Sequence, residues 1–291
     1  MHPSLKSAFD LTVALYRDDP RVPGAWEYGS RGKGTDDQYS DVDPVFMVRD
    51  EDFDAIDREL RPLFESFSAR ISLWWPEGMN CDDIKNYAIL YAPREDPGTL
   101  LQYDMTIAKV KSVKEGFGRF MLTGCGQVEV LFDKTGLLGS ILANTPPHRH
   151  TPDKLVWLIE RYWVYVYIHV KYLRRGDVFK ILYAQQTLFQ NHLDVLKALY
   201  PDGFWGWWPW SVKNVLPKDT QSRLLLYWGA PDRDAVAAVL GKELDAFSAD
   251  ARAACARWGL AYPESAEADV RAYLRKEIPS ASTSTSTSTS T

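Results

Sequence analysis

The sequence predicts an α+β fold: an N-terminal domain with a mixed β-sheet flanked by helices, followed by a C-terminal helical bundle. Three observations predict it. Short apolar runs with strand character fall only within the first 132 residues. A proline-rich polar stretch, NTPPHRHTP at 144–152, then interrupts the chain. Beyond it, apolar residues recur only at helical spacing. The expected division is 1–146, 147–278, and a disordered tail at 279–291, where residues 280–291 are nearly pure Ser and Thr and have no apolar surface to bury.

A first helix is expected over 3–17. Residues 22–28 lead into a glycine-rich turn, and 45–48 is a short apolar strand. Phe53, Ile56, Leu60, Leu63 and Phe64 mark a helix over 52–68, which Pro62 is expected to kink or end early. Further strands are expected at 71–75, 87–91, 100–108 and 128–132. After the boundary, Thr151 is positioned as an N-cap with Pro152 at the first helical position. That helix should stop at Gly176, with others over 177–199, 218–228, 232–257 and 264–276.

The composition is that of a globular protein, with 45% hydrophobic and 25% charged residues. Its net charge of −5 provides no basic footprint, which argues against a nucleic-acid partner. The most apolar stretch, 155–173, is broken by Glu160, Arg161, His169 and Lys171, so it reads as a buried helix and not a membrane span. The start of the chain has no signal-peptide pattern. Cys81, Cys125 and Cys255 lack metal or redox spacing and point to a reducing cytoplasm.

The chemistry lies in Tyr28-Gly-Ser-Arg-Gly-Lys-Gly-Thr-Asp-Asp-Gln-Tyr-Ser-Asp-Val-Asp43. Gly29 lets the backbone approach a ligand, and Ser30 offers a hydroxyl and an N–H to a phosphate oxygen. Asp41 and Asp43 are two apart, so on extended chain both carboxylates point to one side and repel unless a cation sits between them. Mg²⁺ suits such a site, since it takes carboxylate oxygens together with substrate phosphates. Pro44 favours an extended Asp43. In 101–107, Leu101, Tyr103, Met105 and Ile107 alternate with Gln102, Asp104 and Thr106. This places Asp104 on the polar face of a half-buried strand. If that strand neighbours the Asp43 strand, three carboxylates converge. They could then hold two metals for in-line displacement at phosphorus, with Asp104 also able to accept the attacking hydroxyl's proton. Gly32-Lys33-Gly34-Thr35 lacks P-loop spacing, and no dinucleotide-binding glycine pattern follows a strand.

Other residues carry two readings. Arg31 suits a phosphate, or it is a loop arginine. Lys171, in a largely apolar helix, needs either a phosphate or an acidic partner. Lys33 reads as a solvated loop lysine and Arg175 as a helix C-terminal cation. His148 and His150 lie in the linker without acidic or Cys partners. His169 and His192 read as core or surface. Glu160, Trp163 and Tyr167 lie near one helix face, more as aromatic core than as acceptor contacts. Trp205, Trp207, Trp208 and Trp210 either cap the bundle or line a cleft.

Gly-Ser, Asp-x-Asp and a later strand Asp resemble the nucleotidyltransferase superfamily that includes DNA polymerase β. Within it the chain is similar to the aminoglycoside 6-adenylyltransferases, the streptomycin-modifying family. The similarity is carried by Gly29-Ser-Arg31, Gln38-Tyr-Ser-Asp-Val-Asp43, Tyr103-Asp-Met-Thr-Ile107 and Val130-Leu-Phe-Asp-Lys134. Tyr162-Trp163, Val170-Lys171, Arg175 and Leu260-Ala-Tyr262 extend it over most of the chain. Asp37-Gln-Tyr-Ser-Asp41 and Arg175-Gly176 are shared with lincosamide nucleotidyltransferases. Pro44 and residues 32–36 depart from the streptomycin pattern, and the Trp-rich 204–210 is not aligned with it.

The resemblance implies transfer of AMP from ATP to a hydroxyl of a small antibiotic acceptor, with release of pyrophosphate. Asp41, Asp43 and Asp104 would ligate metal, Gly29, Ser30 and Arg31 would face the triphosphate, and Lys171 would reach it from the helical domain. A lincosamide, a metabolite, or a protein or RNA end stand as other acceptors. A non-catalytic nucleotide-binding protein is the reading from another class.

Overall fold

In the computed structural model the chain forms two compact units, Met1–His148 and Arg149–Thr291. The structure describes all residues except 33, 35, 125, 147–153, 203–206, 230–231 and 279–291. The expectations for Thr151, Pro152, His148, His150, Lys33, Trp205, Cys125 and the Ser/Thr tail lie outside the described residues.

The strands of the first unit are β1 (Gly24–Glu27), β2 (Pro44–Val48), β3 (Ser68–Pro76), β4 (Ile84–Pro93), β5 (Leu101–Lys109) and β6 (Glu129–Asp133). They form one mixed sheet in the order β3-β4-β5-β2-β1-β6. β2 runs parallel to β5, with Val45 opposite Thr106, while the other pairs are antiparallel. β2 is buried along its whole length, so its PVFMV sequence shows no alternation. Phe46 and Val48 join one apolar cluster, and Val45 and Met47 join another.

The helices of this unit are α1 (Pro3–Asp18), α2 (Gly29–Gly32), α3 (Phe53–Phe67), α4 (Val110–Glu115), α5 (Phe117–Thr123) and α6 (Leu137–Asn144). α1 and α3 pack their apolar stripes on the cluster around Phe46 and Tyr103. The α4–α6 segments cover the cluster around Trp26 and Met47. α3 runs through Pro62 without ending. A mid-helix proline costs about 3 kcal/mol. Four fully buried residues of α3, namely Phe53, Ile56, Leu60 and Phe64, offset that cost at about 1.5–3 kcal/mol each. The 3–17, 45–48 and 128–132 expectations match α1, β2 and β6 to within a residue. α4, α5 and α6 were not expected, because six to eight residues give too few turns for a periodic signal.

The second unit is helical: α7 (Leu155–Arg175), α8 (Val178–Leu199), α9 (Trp208–Val215), α10 (Lys218–Leu224), α11 (Arg233–Trp258) and α12 (Glu264–Glu277). Gly176 ends α7 with φ +65°, a left-handed cap that closes onto the carbonyls of Leu173 and Tyr172. Asp177 then caps α8. The segment 218–228, expected as one helix, divides: α10 stops at Leu224 and a 3₁₀ turn, Leu225–Tyr227, follows.

Trp163 is core, whereas Tyr167 and Glu160 are exposed. His192 is fully buried and structural. Its ring bonds Tyr227 Oη and the Asp250 carboxylate at 3.0 Å each, and Arg223 closes the network on Asp250 at 2.8 Å. Trp208 packs edge-on against Phe189, while Trp207 is exposed. Among the described residues no helix is long and apolar enough to cross a membrane.

Candidate active site

β1 ends at Glu27, the chain turns through α2, and a loop brings it back to β2 beside β5. Extending the β2–β5 register by two residues sets Asp43 level with Asp104. A hydrogen bond from the Asp104 N–H to the Val42 carbonyl, 3.0 Å, fixes that level. Asp41, Asp43 and Asp104 thus converge, with one ligand oxygen from each lying within 4.8 Å of the others. The sequence placed the Asp pair on a strand. In the structure it lies on the approach to β2, which begins at Pro44, and the sheet partner is the expected Asp104 strand.

The electrostatics fit a cation site. Burial, aided by the negative charges of Asp41 and Glu77 and opposed by Gln102, raises the Asp104 carboxyl to about 6. Burial raises Asp41 as well. Three half-buried carboxylates this close repel one another when ionised, and a divalent cation with oxygen-only ligands relieves both the repulsion and the lost hydration.

Gly29 is required here on two grounds. Its φ is +68°, and a Cβ at this position would lie 1.8 Å from Asp43 Oδ2. The backbone of α2 therefore sits directly against the Asp43 carboxylate, where no other residue fits. Ser30 and Arg31 follow within the same turn.

Arg31 is anchored inward: Nε donates to Glu27 Oε2 at 2.8 Å, and the guanidinium lies over the Phe9 ring at 4.6 Å. Lys171 belongs to the second unit, where its ammonium sits 4.1 Å from the Tyr167 ring centre. The structure thus brings together Gly29, Ser30, Asp41, Asp43 and Asp104, with Arg31 at the far end of the same turn.

Three residues around this cluster were not singled out from the sequence. Glu27 is fully buried, and its carboxyl is pushed up to about 7 by burial against the pull of Arg31. Its four-residue spacing to Arg31 was the available signal. Gly32 packs on the Glu27 carbonyl, leaving only 2.4 Å for a Cβ. Gln102 donates its amide to both Asp104 oxygens at 3.0 Å. Its place two residues before Asp104 on the polar face was visible, but its partner was not.

A family model described as streptomycin adenylyltransferase matches residues 4–277. Among solved structures, the chain is similar to a crystal structure of an aminoglycoside 6-adenyltransferase from Bacillus subtilis. The identity is 16% and the TM-score 0.43, with 95% of this chain and 99% of that chain covered. No curated protein matches the chain.

Proposed function

The chain belongs to the streptomycin adenylyltransferase family and is a nucleotidyltransferase, and we propose that it transfers AMP from ATP to a hydroxyl of a streptomycin-type aminoglycoside, using Mg²⁺ and releasing pyrophosphate. The observation that carries this reading is the convergence of Asp41, Asp43 and Asp104 within 4.8 Å, set against a glycine turn that admits no side chain. An acidic, oxygen-only donor set suits Mg²⁺. Bound there, Mg²⁺ would stabilise negative charge on the triphosphate as it builds up.

The protein's own groups then have defined tasks. The acceptor hydroxyl oxygen forms a bond to the α-phosphorus, and its proton passes to the Asp104 carboxylate. The bond from the α-phosphorus to the departing oxygen breaks, and pyrophosphate leaves with that electron pair. In the metal-free protein burial raises this carboxyl to about 6, above an ordinary aspartate. The backbone of Gly29 and the hydroxyl of Ser30 orient the triphosphate, with Arg31 behind them and Lys171 contributed by the helical unit. In this reading residues 1–146 are the catalytic domain, 147–278 the helical domain, and 279–291 a tail outside the chemistry. A cytoplasmic location, where ATP is at hand, goes with it.

The test is pyrophosphate release from ATP and Mg²⁺ across a panel of aminoglycosides and lincosamides, with mass analysis of each drug. Streptomycin heavier by one AMP is the expected result. AMP transfer to a lincosamide alone would move the acceptor class. Silence across the panel in a protein that binds Mg-ATP would refute antibiotic adenylylation.

A further inference from the structure

Glu27 closes β1 and is fully buried, next to the core residues Ala25 and Trp26. Its Oε2 accepts the Arg31 Nε–H at 2.8 Å, and the backbone N–H of Asp43 also hydrogen-bonds this carboxylate. Oε1 has no hydrogen-bond partner among the described residues. A buried ion pair of this kind adds little to folding, because taking both charges out of water cancels most of their attraction. What the pair does set is the direction of the arginine.

Glu27 is a fixed point. Strand pairing holds it between Pro44 and Glu129, and Gly32 packs on its carbonyl. Arg31 is held against it at an edge and at a face: Nε on Glu27, and the guanidinium over the Phe9 ring at 4.6 Å. A planar guanidinium held in this way keeps its Nη1–Nη2 edge for a further partner. Nη1 makes a weak contact with Met1 Sδ at 4.0 Å, and the side chain is 21% exposed. That edge is the one that grips two oxygens of a phosphate. One carboxylate thus ties the arginine of the α2 turn to the backbone of Asp43, whose own carboxylate abuts Gly29.

We propose that Glu27 is a positioning residue for the nucleotide, holding Arg31 with its Nη edge available to the triphosphate at a fixed offset from Asp41, Asp43 and Asp104. The proposal rests on the AMP-transfer reading for the identity of the ligand, while its own claim concerns Mg-ATP binding. The Glu27 charge opposes phosphate, but it lies behind the guanidinium. An arginine ordered beforehand loses less freedom on binding, and that gain outweighs the repulsion.

Calorimetric titration of Mg-ATP into the full-length protein tests this as a double-mutant cycle with wild type, Glu27→Leu, Arg31→Gln and the double variant. Glu27→Leu should weaken binding about 5-fold, the scale of ordering one long side chain, and Arg31→Gln about 10-fold or more. The double variant should bind within about two-fold of Arg31→Gln, since Glu27 then has nothing to position. Glu27→Asp, which draws the oxygens back from Nε, should lose affinity as Glu27→Leu does, and it decides the matter if Glu27→Leu fails to fold. Glu27→Gln keeps an oxygen for Nε and for the Asp43 N–H and should recover most of the loss. In turnover, the KM for ATP should rise in Glu27→Leu while the acceptor KM holds. Unchanged Mg-ATP affinity in Glu27→Leu and Glu27→Asp overturns the proposal. So do losses that multiply in the double variant, and so does a wild type that does not bind Mg-ATP. Coupled losses in a protein that adenylylates no acceptor sink the proposed reaction and leave the positioning role standing. AMP transfer with multiplying losses keeps the reaction and sinks the role of Glu27.

Discussion

Neutralising Asp104 should abolish Mg²⁺-dependent activity and make the metal-free protein more stable. Burial lifts this carboxyl from 3.8 to about 6, and a shift of roughly two units corresponds to about 3 kcal/mol. The sign follows from linkage. The folded state binds the proton more tightly than the unfolded state. The penalty is therefore absent below pH 3.8, grows as pH rises through 6, and is complete above it. Asp104→Asn keeps the shape and one acceptor oxygen for the Gln102 amide, while removing the charge that Asp41 opposes. Asp104 is partly exposed, so about 3 kcal/mol is an upper bound on the gain. At 2–4 °C per kcal/mol, the first unit's Tm should rise by up to roughly 10 °C. Scanning calorimetry in EDTA at pH 8 and pH 4, wild type against Asp104→Asn, is the assay. The gain should be present at pH 8 and largely gone at pH 4. Added Mg²⁺ should stabilise the wild type more than the variant. A variant that is less stable at pH 8, or whose gain is the same at both pH values, refutes the reasoning that burial and like charge set the energetics of this cluster.

Other outcomes are expected at the same site and in the helical unit. Asp43→Asn should lower kcat by about 10²–10³-fold, the scale of a lost transition-state electrostatic contact, with an unaltered circular dichroism spectrum; retained turnover would remove Asp43 from the metal site. Gly29→Ala places a methyl where only 1.8 Å is free, at φ +68°. It should abolish activity and destabilise the unit by more than about 1 kcal/mol, measurable by urea unfolding; an active, equally stable variant contradicts the cradle geometry. Lys171→Ala should raise the KM for ATP with little effect on the acceptor KM, and an unchanged ATP dependence sinks its phosphate role. In the helical unit, burial pushes the Glu243 carboxyl to about 8, so stability should fall as pH climbs from 4.5 through 8. Glu243→Gln should flatten that slope in pH-dependent melts.

Local patterns, read from the sequence, settled much of this protein. Alternation in 101–107 marked β5 and put Asp104 on its polar face, because pleating sends successive side chains to opposite sides. Helical spacing over 155–175 and the glycine after it marked α7 and its stop. The order of glycine turn, Asp pair and later strand Asp was enough to nominate the three carboxylates that converge in the structure.

Tertiary structure decided what no local pattern contains. Which strand lies beside Asp43 follows from the β2–β5 pairing, between segments some sixty residues apart in the chain. Strand order is set by how two apolar clusters close over the sheet, not by any window of sequence. Arg31 read as a phosphate ligand or a loop residue until the fold buried Glu27 beneath it, because an unpartnered carboxylate in that position must find a cation. Gln102 acquired its partner, and a cavity beside Asp41 its lining, only when the chain's first residues, the 38–41 loop and the start of β5 were brought together. Distances between residues remote in sequence are products of packing, and so the cavity beside Asp41 had to await the folded chain.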